Sequence, residues 1–156
     1  MELAEKNALV TGASRGIGKG IAFALAEKGA NVVVNYWKNK ELAHALVEEI
    51  QSKGVRGIAV QADVSKKSDV ENMVTAVQQE FTTIDILVNN AAIDTPEKKF
   101  MEIDETEWDR TIDVNLKGVY NCCQAVLKSM IPRRQGKIVN ISSIAGLRGT
   151  GSVPYV

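Results

Sequence analysis

Five short aliphatic or β-branched runs, at residues 8–11, 31–35, 57–61, 84–88 and 137–141, alternate with four longer stretches of helical periodicity. No other feature of the sequence limits the fold as much. The second run reads Asn31-Val32-Val33-Val34-Asn35, apolar without alternation, as a strand buried on both faces requires. Between the runs, apolar residues recur three or four apart. Ile17, Ile21 and Leu25, with Ala22, Ala24 and Ala26 among them, form the first stripe, and Gly29 stops that helix. Leu42, Leu46 and Ile50 mark a helix over 38–53; Val70, Met73, Val74 and Val77 mark one over 66–81. Trp108, Ile112, Leu116, Val119, Cys123, Val126 and Met130 mark a long helix over 105–131. Short strands joined by helical crossovers run parallel, and right-handed crossovers put helices on both faces of one sheet. The pattern predicts an α/β fold: a doubly wound parallel sheet in three layers, α/β/α. Ligands bind such sheets beyond the carboxyl ends of the strands, and each unusual residue cluster of this chain falls there.

The first cluster is Thr11-Gly12-Ala13-Ser14-Arg15-Gly16-Ile17-Gly18, between a strand and a helix. Glycine permits a tight turn and lets backbone N–H groups approach a pyrophosphate, which a helix N-terminus also favours. A plain strand-to-helix turn seldom needs three glycines, so the segment reads as a dinucleotide-binding turn. Enzymes that use NAD place an acid about 20 residues further on, against the ribose 2′-hydroxyl. Here that stretch is Asn35-Tyr36-Trp37-Lys38, with no acid before Glu41. A carboxylate repels a 2′-phosphate, whereas the Arg15 guanidinium in the turn suits one well. NADP is therefore preferred to NAD.

Other singled-out residues have plainer readings. Asp63, after the third strand, could cap the next helix, as could Ser65. Asn89 is expected to bond across strands. Asn115 is a poor helix former in a helical stretch, and a hydrogen bond from helix to loop would explain it. Cys122 and Cys123 are adjacent and read as packing residues; they cannot staple distant loops, which fits a reducing, cytoplasmic compartment. His44 is the only histidine, so no metal site is expected. Arg133-Arg134 reads as a basic helix end. Nineteen basic residues balance 19 acidic ones, which leaves no long-range field for nucleic acid or anionic membrane. Aromatic residues are 5% of the chain, too sparse for base-stacking platforms, and no apolar run approaches the roughly 18 residues of a membrane span.

In this order the segments resemble the short-chain dehydrogenase/reductase family. Residues 11–18 match its glycine signature throughout, and Asp63-Val64, Asn89-Asn90-Ala91, Asn115, Ile141-Ser142-Ser143 and Tyr155 follow in sequence. Within the family the chain looks most like 3-oxoacyl-acyl-carrier-protein reductases and their glucose dehydrogenase-like relatives. The resemblance implies a Rossmann fold and hydride exchange between NADP(H) and a small carbonyl, acyl-thioester or secondary alcohol. The alternative is a glucose or polyol dehydrogenase using NAD(P). Cofactor contacts are implied for Gly12, Ser14, Arg15, Gly16, Ile17 and Gly18 of the turn. Asn35 and Tyr36, then Asp63 and Val64, continue the site after the second and third strands, with Asp63 on the adenine amino group. Asn90, Ala91 and Ala92 follow the fourth strand, where Ala92 stands in place of the family's usual glycine.

The same resemblance assigns catalysis to Ser143, Tyr155 and Asn115. Ser143 would bond the substrate oxygen, Tyr155 would donate its proton and also touch the cofactor, and Asn115 would help hold a relaying water. Ser143 precedes Tyr155 by one residue fewer than the family's spacing, which places a deletion around 149–153; Ser142 has the usual spacing and is the reserve candidate. The family's next catalytic group, a lysine four residues beyond the tyrosine, would fall past Val156, the last residue. Residues 1–156 are thus expected to be the N-terminal part of one dinucleotide-binding domain, with further strands and helices missing. A truncated, non-catalytic nucleotide-binding fragment is a further alternative. The long helix with Trp108 resembles the family's subunit interface, which implies a homo-oligomer, dimer or tetramer.

Overall fold

The second strand, β2 (Asn31–Tyr36), explains why the sheet is covered on both sides. Val32, Val34 and Tyr36 enter one core, and Val33, pointing the other way, enters a second. The computed structural model describes residues 2–93, 99–144 and 146. Around β2 lie β1 (Asn7–Val10), β3 (Gly57–Gln61), β4 (Ile86–Asn89) and β5 (Lys137–Asn140). All pair in parallel, in the order β3-β2-β1-β4-β5. Central β1 fixes the register, with Val10 opposite both Val34 and Val88.

Helices α1 (Gly16–Glu27) and α2 (Lys40–Gln51) cover one face, and α3 (Lys67–Phe81) and α5 (Gly118–Arg133) the other. The expected α/β/α sandwich is therefore found, with the strand order of a Rossmann-type sheet. At the amino ends of the strands, Arg133 closes α5 onto the sheet. Its Nη1 bonds Asp85 Oδ1 at 3.0 Å and its Nη2 the Ile84 carbonyl at 2.8 Å. Asp85 Oδ2 in turn accepts the Asn7 N–H at 3.1 Å.

The helical stripes need correction. Ile17 is 69% exposed, and Gly18, Ala22 and Ala26 form the buried side of α1. Short side chains on the inward face let a helix lie close to its sheet, so size misleads here. In α2 Leu42 is exposed, and Ala43, Leu46, Val47 and Ile50 are buried. The long helix is three pieces: α4 (Glu105–Ile112), a π-helical segment Asp113–Lys117, and α5. At the end of that segment the Gly118 N–H bonds the Asp113 carbonyl, five residues back. Thr111, Val114, Gly118, Cys122, Ala125, Val126 and Met130 are its buried residues, together with Asn121. Trp108 and Leu116 are exposed, and Ile112, Val119 and Cys123 half-buried, so most of the expected stripe lies on the outward flank. Gly118 has a packing reason: a Cβ there would stand 2.8 Å from Val64 Cγ2.

Candidate functional site

The strand order reverses between β1 and β4, and there the carboxyl ends of the strands diverge to leave a crevice. A cavity of about 780 Å³ occupies it. Its walls are the glycine turn, the segments after β2, β3 and β4, and Arg110 and Val114.

The turn is shaped by contact as well as by dihedral angle. Gly12 has φ +61°, and a Cβ on it would stand 2.8 Å from Ala91 Cα. Gly18 is closed in by Asn90 Nδ2 and the Gly12 carbonyl, 2.5 and 2.6 Å from where a Cβ would be. Asn35, 1% exposed, accepts the Gly12 N–H at 3.1 Å and donates to the Ala62 and Val60 carbonyls. Asn90 Nδ2 donates to the Thr11 carbonyl at 2.9 Å, and Thr11 Oγ1 accepts the N–H groups of Asn90 and Ala91 at 3.0 Å each. These two asparagines fasten the turn from both sides, which is a structural part for residues expected to touch a cofactor. Helix α1 starts at this turn with no side-chain cap and no acid in its first turn. Its N-terminal N–H groups and positive dipole end are thus left for an anion.

At the end of β2 the side chains alternate between core and crevice. Tyr36 is 5% exposed, shares the core of Val32 and Val34, and does not line the cavity. Trp37 and Lys38 line it instead, with Lys38 Nζ 3.9 Å from the centre of the Trp37 ring.

Asp63 reaches the cavity wall, as anticipated, but caps no helix: the N-cap of α3 is Lys66, with no side-chain cap. Its Oδ1 accepts the Ser65 hydroxyl at 2.7 Å and the Ser65 N–H at 3.1 Å. Its Oδ2 faces Arg110 Nη1 at 3.1 Å. Burial pushes the Asp63 carboxyl up, yet the hydrogen bonds from Ser65 and Arg110, with the charge of Arg110, outweigh it and hold the group below the usual carboxylate range. Arg110 carries no motif signal, and the partners that reveal it lie far off in sequence. Among the described residues, the cavity walls carry the cations Arg15, Lys38 and Arg110 against one carboxylate, Asp63.

Asn115 stands in the π-helical segment, where its side chain accepts the Ile93 N–H at 2.9 Å and donates to the Ile93 carbonyl at 3.1 Å. This is the helix-to-loop bond anticipated as the plainer reading, and it takes up both polar ends of the side chain. Asn89 bonds across strands to Asn140 Oδ1 at 2.9 Å, as expected. Ser142 and Ser143 follow β5 and are exposed, and the Ser143 carbonyl accepts the Gly146 N–H at 3.2 Å. Tyr155 and residues 149–153 lie outside the described residues. Cys122 is buried, which, with the neighbouring Cys123, pushes its thiol up to about 12. Among the described residues, no group of three or more His, Cys, Asp or Glu is placed to hold a metal, and no helix is long and apolar enough to cross a membrane.

Comparison with known proteins adds to this geometry. The sequence model described as "short chain dehydrogenase" matches residues 6–155. A 3-oxoacyl-acyl-carrier-protein reductase, FabG, of Staphylococcus epidermidis is 51% identical over 97% of the chain and 62% of its own length. A short chain dehydrogenase from Burkholderia cenocepacia, solved in complex with NADP, superposes with a TM-score of 0.88 at 38% identity. That match covers 97% of this chain and 61% of the other. An NAD+-bound xylitol dehydrogenase superposes with a TM-score of 0.93 at 30% identity, over 97% and 58% of the two chains. The chain spans about three-fifths of the length of the curated relatives it matches.

Proposed function

The chain belongs to the short-chain dehydrogenase family, and from that premise we propose that it serves NADP(H)-dependent interconversion of a carbonyl and a secondary alcohol. A reductase of 3-oxoacyl thioesters is the favoured form. The observation that carries the reading is the cavity at the β1–β4 crevice, with its uncapped α1 N-terminus and its excess of cations. The residues fit a dinucleotide: Gly12 and Gly18 let the turn close against Ala91 and Asn90, a Cβ at Gly16 would meet nothing within 4 Å, and the N–H groups of α1 suit a pyrophosphate. Arg15 and Lys38 would meet a 2′-phosphate, with no acid before Glu41 to repel it. Asp63 and Val64 would hold the adenine end, and Ala91 and Ala92 the other.

When bound, the cofactor supplies or accepts the hydride. This chain's residues would then handle the oxygen. Ser143, or Ser142 in reserve, donates a hydrogen bond to it, and Tyr155 delivers a proton to the alkoxide. Asn115 serves as a positioning residue, since its side chain holds the loop after β4 through Ile93. The outward flank of exposed Trp108 and Leu116 and half-buried Ile112 and Val119 supports pairing with a second copy.

Titration with NADPH and NADH tests the reading. Wild type should prefer NADPH, and Arg15→Ala with Lys38→Ala should weaken NADPH by about tenfold or more while sparing NADH. Absence of NADPH binding overturns the proposal. Oxidation of NADPH by an acetoacetyl thioester, set against reduction of NAD(P)+ by glucose, separates the ketoreductase from the polyol dehydrogenase.

A further inference from the structure

One residue at the Asp63 end of the cavity belongs to none of the motifs. Arg110 reaches from α4 to the segments after β2 and β3. Its Nη1 donates to the Ser65 hydroxyl at 2.7 Å and stands 3.1 Å from Asp63 Oδ2, and its guanidinium carbon lies 4.6 Å from the centre of the Trp37 ring. Asp63 is 6% exposed. With Ser65 on one carboxylate oxygen and Arg110 on the other, the group is held against rotation. An ionised carboxylate can only accept hydrogen bonds. The face it turns to the cavity therefore matches a donor and repels another acceptor.

We propose that Arg110 is a specificity-determining positioning residue: by fixing Asp63 as an acceptor-only edge, it makes the cavity select a base with an exocyclic amino group over one with a keto group. The proposal rests on the dinucleotide reading above. Its logic is that a buried carboxylate deprived of its facing cation turns toward water or takes up a proton. A carboxylic acid both donates and accepts, so it no longer separates amino from keto. Trp37 holds the guanidinium at the wall by a cation–π contact.

The test is calorimetric binding of NADPH and of its deaminated analogue, in which hypoxanthine replaces adenine. Wild type should favour NADPH by about tenfold or more, because the keto oxygen faces the carboxylate with no proton between two acceptors. In Arg110→Met that ratio should fall to about threefold or less, and Arg110→Lys, which restores the charge, should recover part of it. Asp63→Asn, whose amide can present either end, should lose the ratio with Arg110 still in place. A purely structural Arg110 would weaken both ligands equally and leave the ratio intact in Arg110→Met, which overturns the proposal. Equal binding of the two ligands by wild type also overturns it, with the dinucleotide reading still standing. Binding of neither ligand by wild type overturns that reading and this proposal with it. Should Arg110→Met fail to fold by circular dichroism, an unchanged ratio in Asp63→Asn is the overturning result.

Discussion

Gly18→Ala and Gly16→Ala place the same methyl group two residues apart in one turn, and the structure assigns them different costs. At Gly18 the new Cβ meets Asn90 Nδ2 at 2.5 Å, the Gly12 carbonyl at 2.6 Å and Ala13 Cα at 3.0 Å. The two backbone atoms cannot step aside without moving the turn, and such overpacking costs about 1–3 kcal/mol. Asn90 can swing away only by giving up its bonds to the Thr11 and Gly12 carbonyls, about 1 kcal/mol each. Replacing glycine inside a helix returns about 1 kcal/mol, which leaves a net loss of about 2–4 kcal/mol. At Gly16 nothing lies within 4 Å, but φ is +57°, so the cost is dihedral only, about 1–2 kcal/mol. Urea unfolding of both variants, with NADPH titrated into each, reads the difference. Gly18→Ala should be the less stable and should bind more weakly, because displaced Asn90 releases the turn. If Gly16→Ala proves the more damaging, or Gly18→Ala falls within about 0.5 kcal/mol of wild type, the turn is not held by contact and the argument fails.

Arg133→Met removes the guanidinium that bonds Asp85 and the Ile84 carbonyl, and urea unfolding should show a loss of about 2–3 kcal/mol, below the full value for a buried pair because Arg133 is partly exposed. Burial pushes the Asp85 carboxyl up, but Arg133 and the Asn7 N–H hold it below the usual carboxylate range. A depressed pKa contributes stability above the unfolded value of about 3.9, and that contribution is lost as pH falls through the folded value. Unfolding free energy should therefore drop between about pH 5 and pH 2 in wild type and drop less steeply in Arg133→Met; equal slopes would count against the pair. Asn115→Ala strips both partners from Ile93, so the Ile93 amide should exchange its hydrogen about tenfold faster or more. Unchanged exchange there would show that the loop after β4 is held by other means.

The sheet and the glycine turn could be read in the sequence because their causes are local. Runs such as Val32-Val33-Val34 state their burial directly, and a glycine turn between strand and helix states its conformation. Tyr36 shares parity with Val32 and Val34 and follows them into the core, which leaves Trp37 facing the crevice. In α1, Ala22 and Ala26 are buried and Ile21 and Leu25 pack half-buried against the core, whereas the larger Ile17 is exposed and Gly18 takes the inward position. Arg110 left no trace in any window, since its partners Trp37, Asp63 and Ser65 are joined to it only by the sheet order. The π-helical segment around Asn115 was equally hidden, because one extra residue in a turn leaves the apolar spacing almost intact.

The cation-flanked indole at the cavity wall also gives the protein an optical property. Trp37 has Lys38 and Arg110 over its ring, and an indole's emission follows the electric field across it. Any anion arriving in the crevice changes that field. Trp108 is the only other tryptophan of the chain and does not line the cavity. Replacing it with phenylalanine leaves a single indole, so occupancy can be followed by the colour of its emission in a protein that carries no added label.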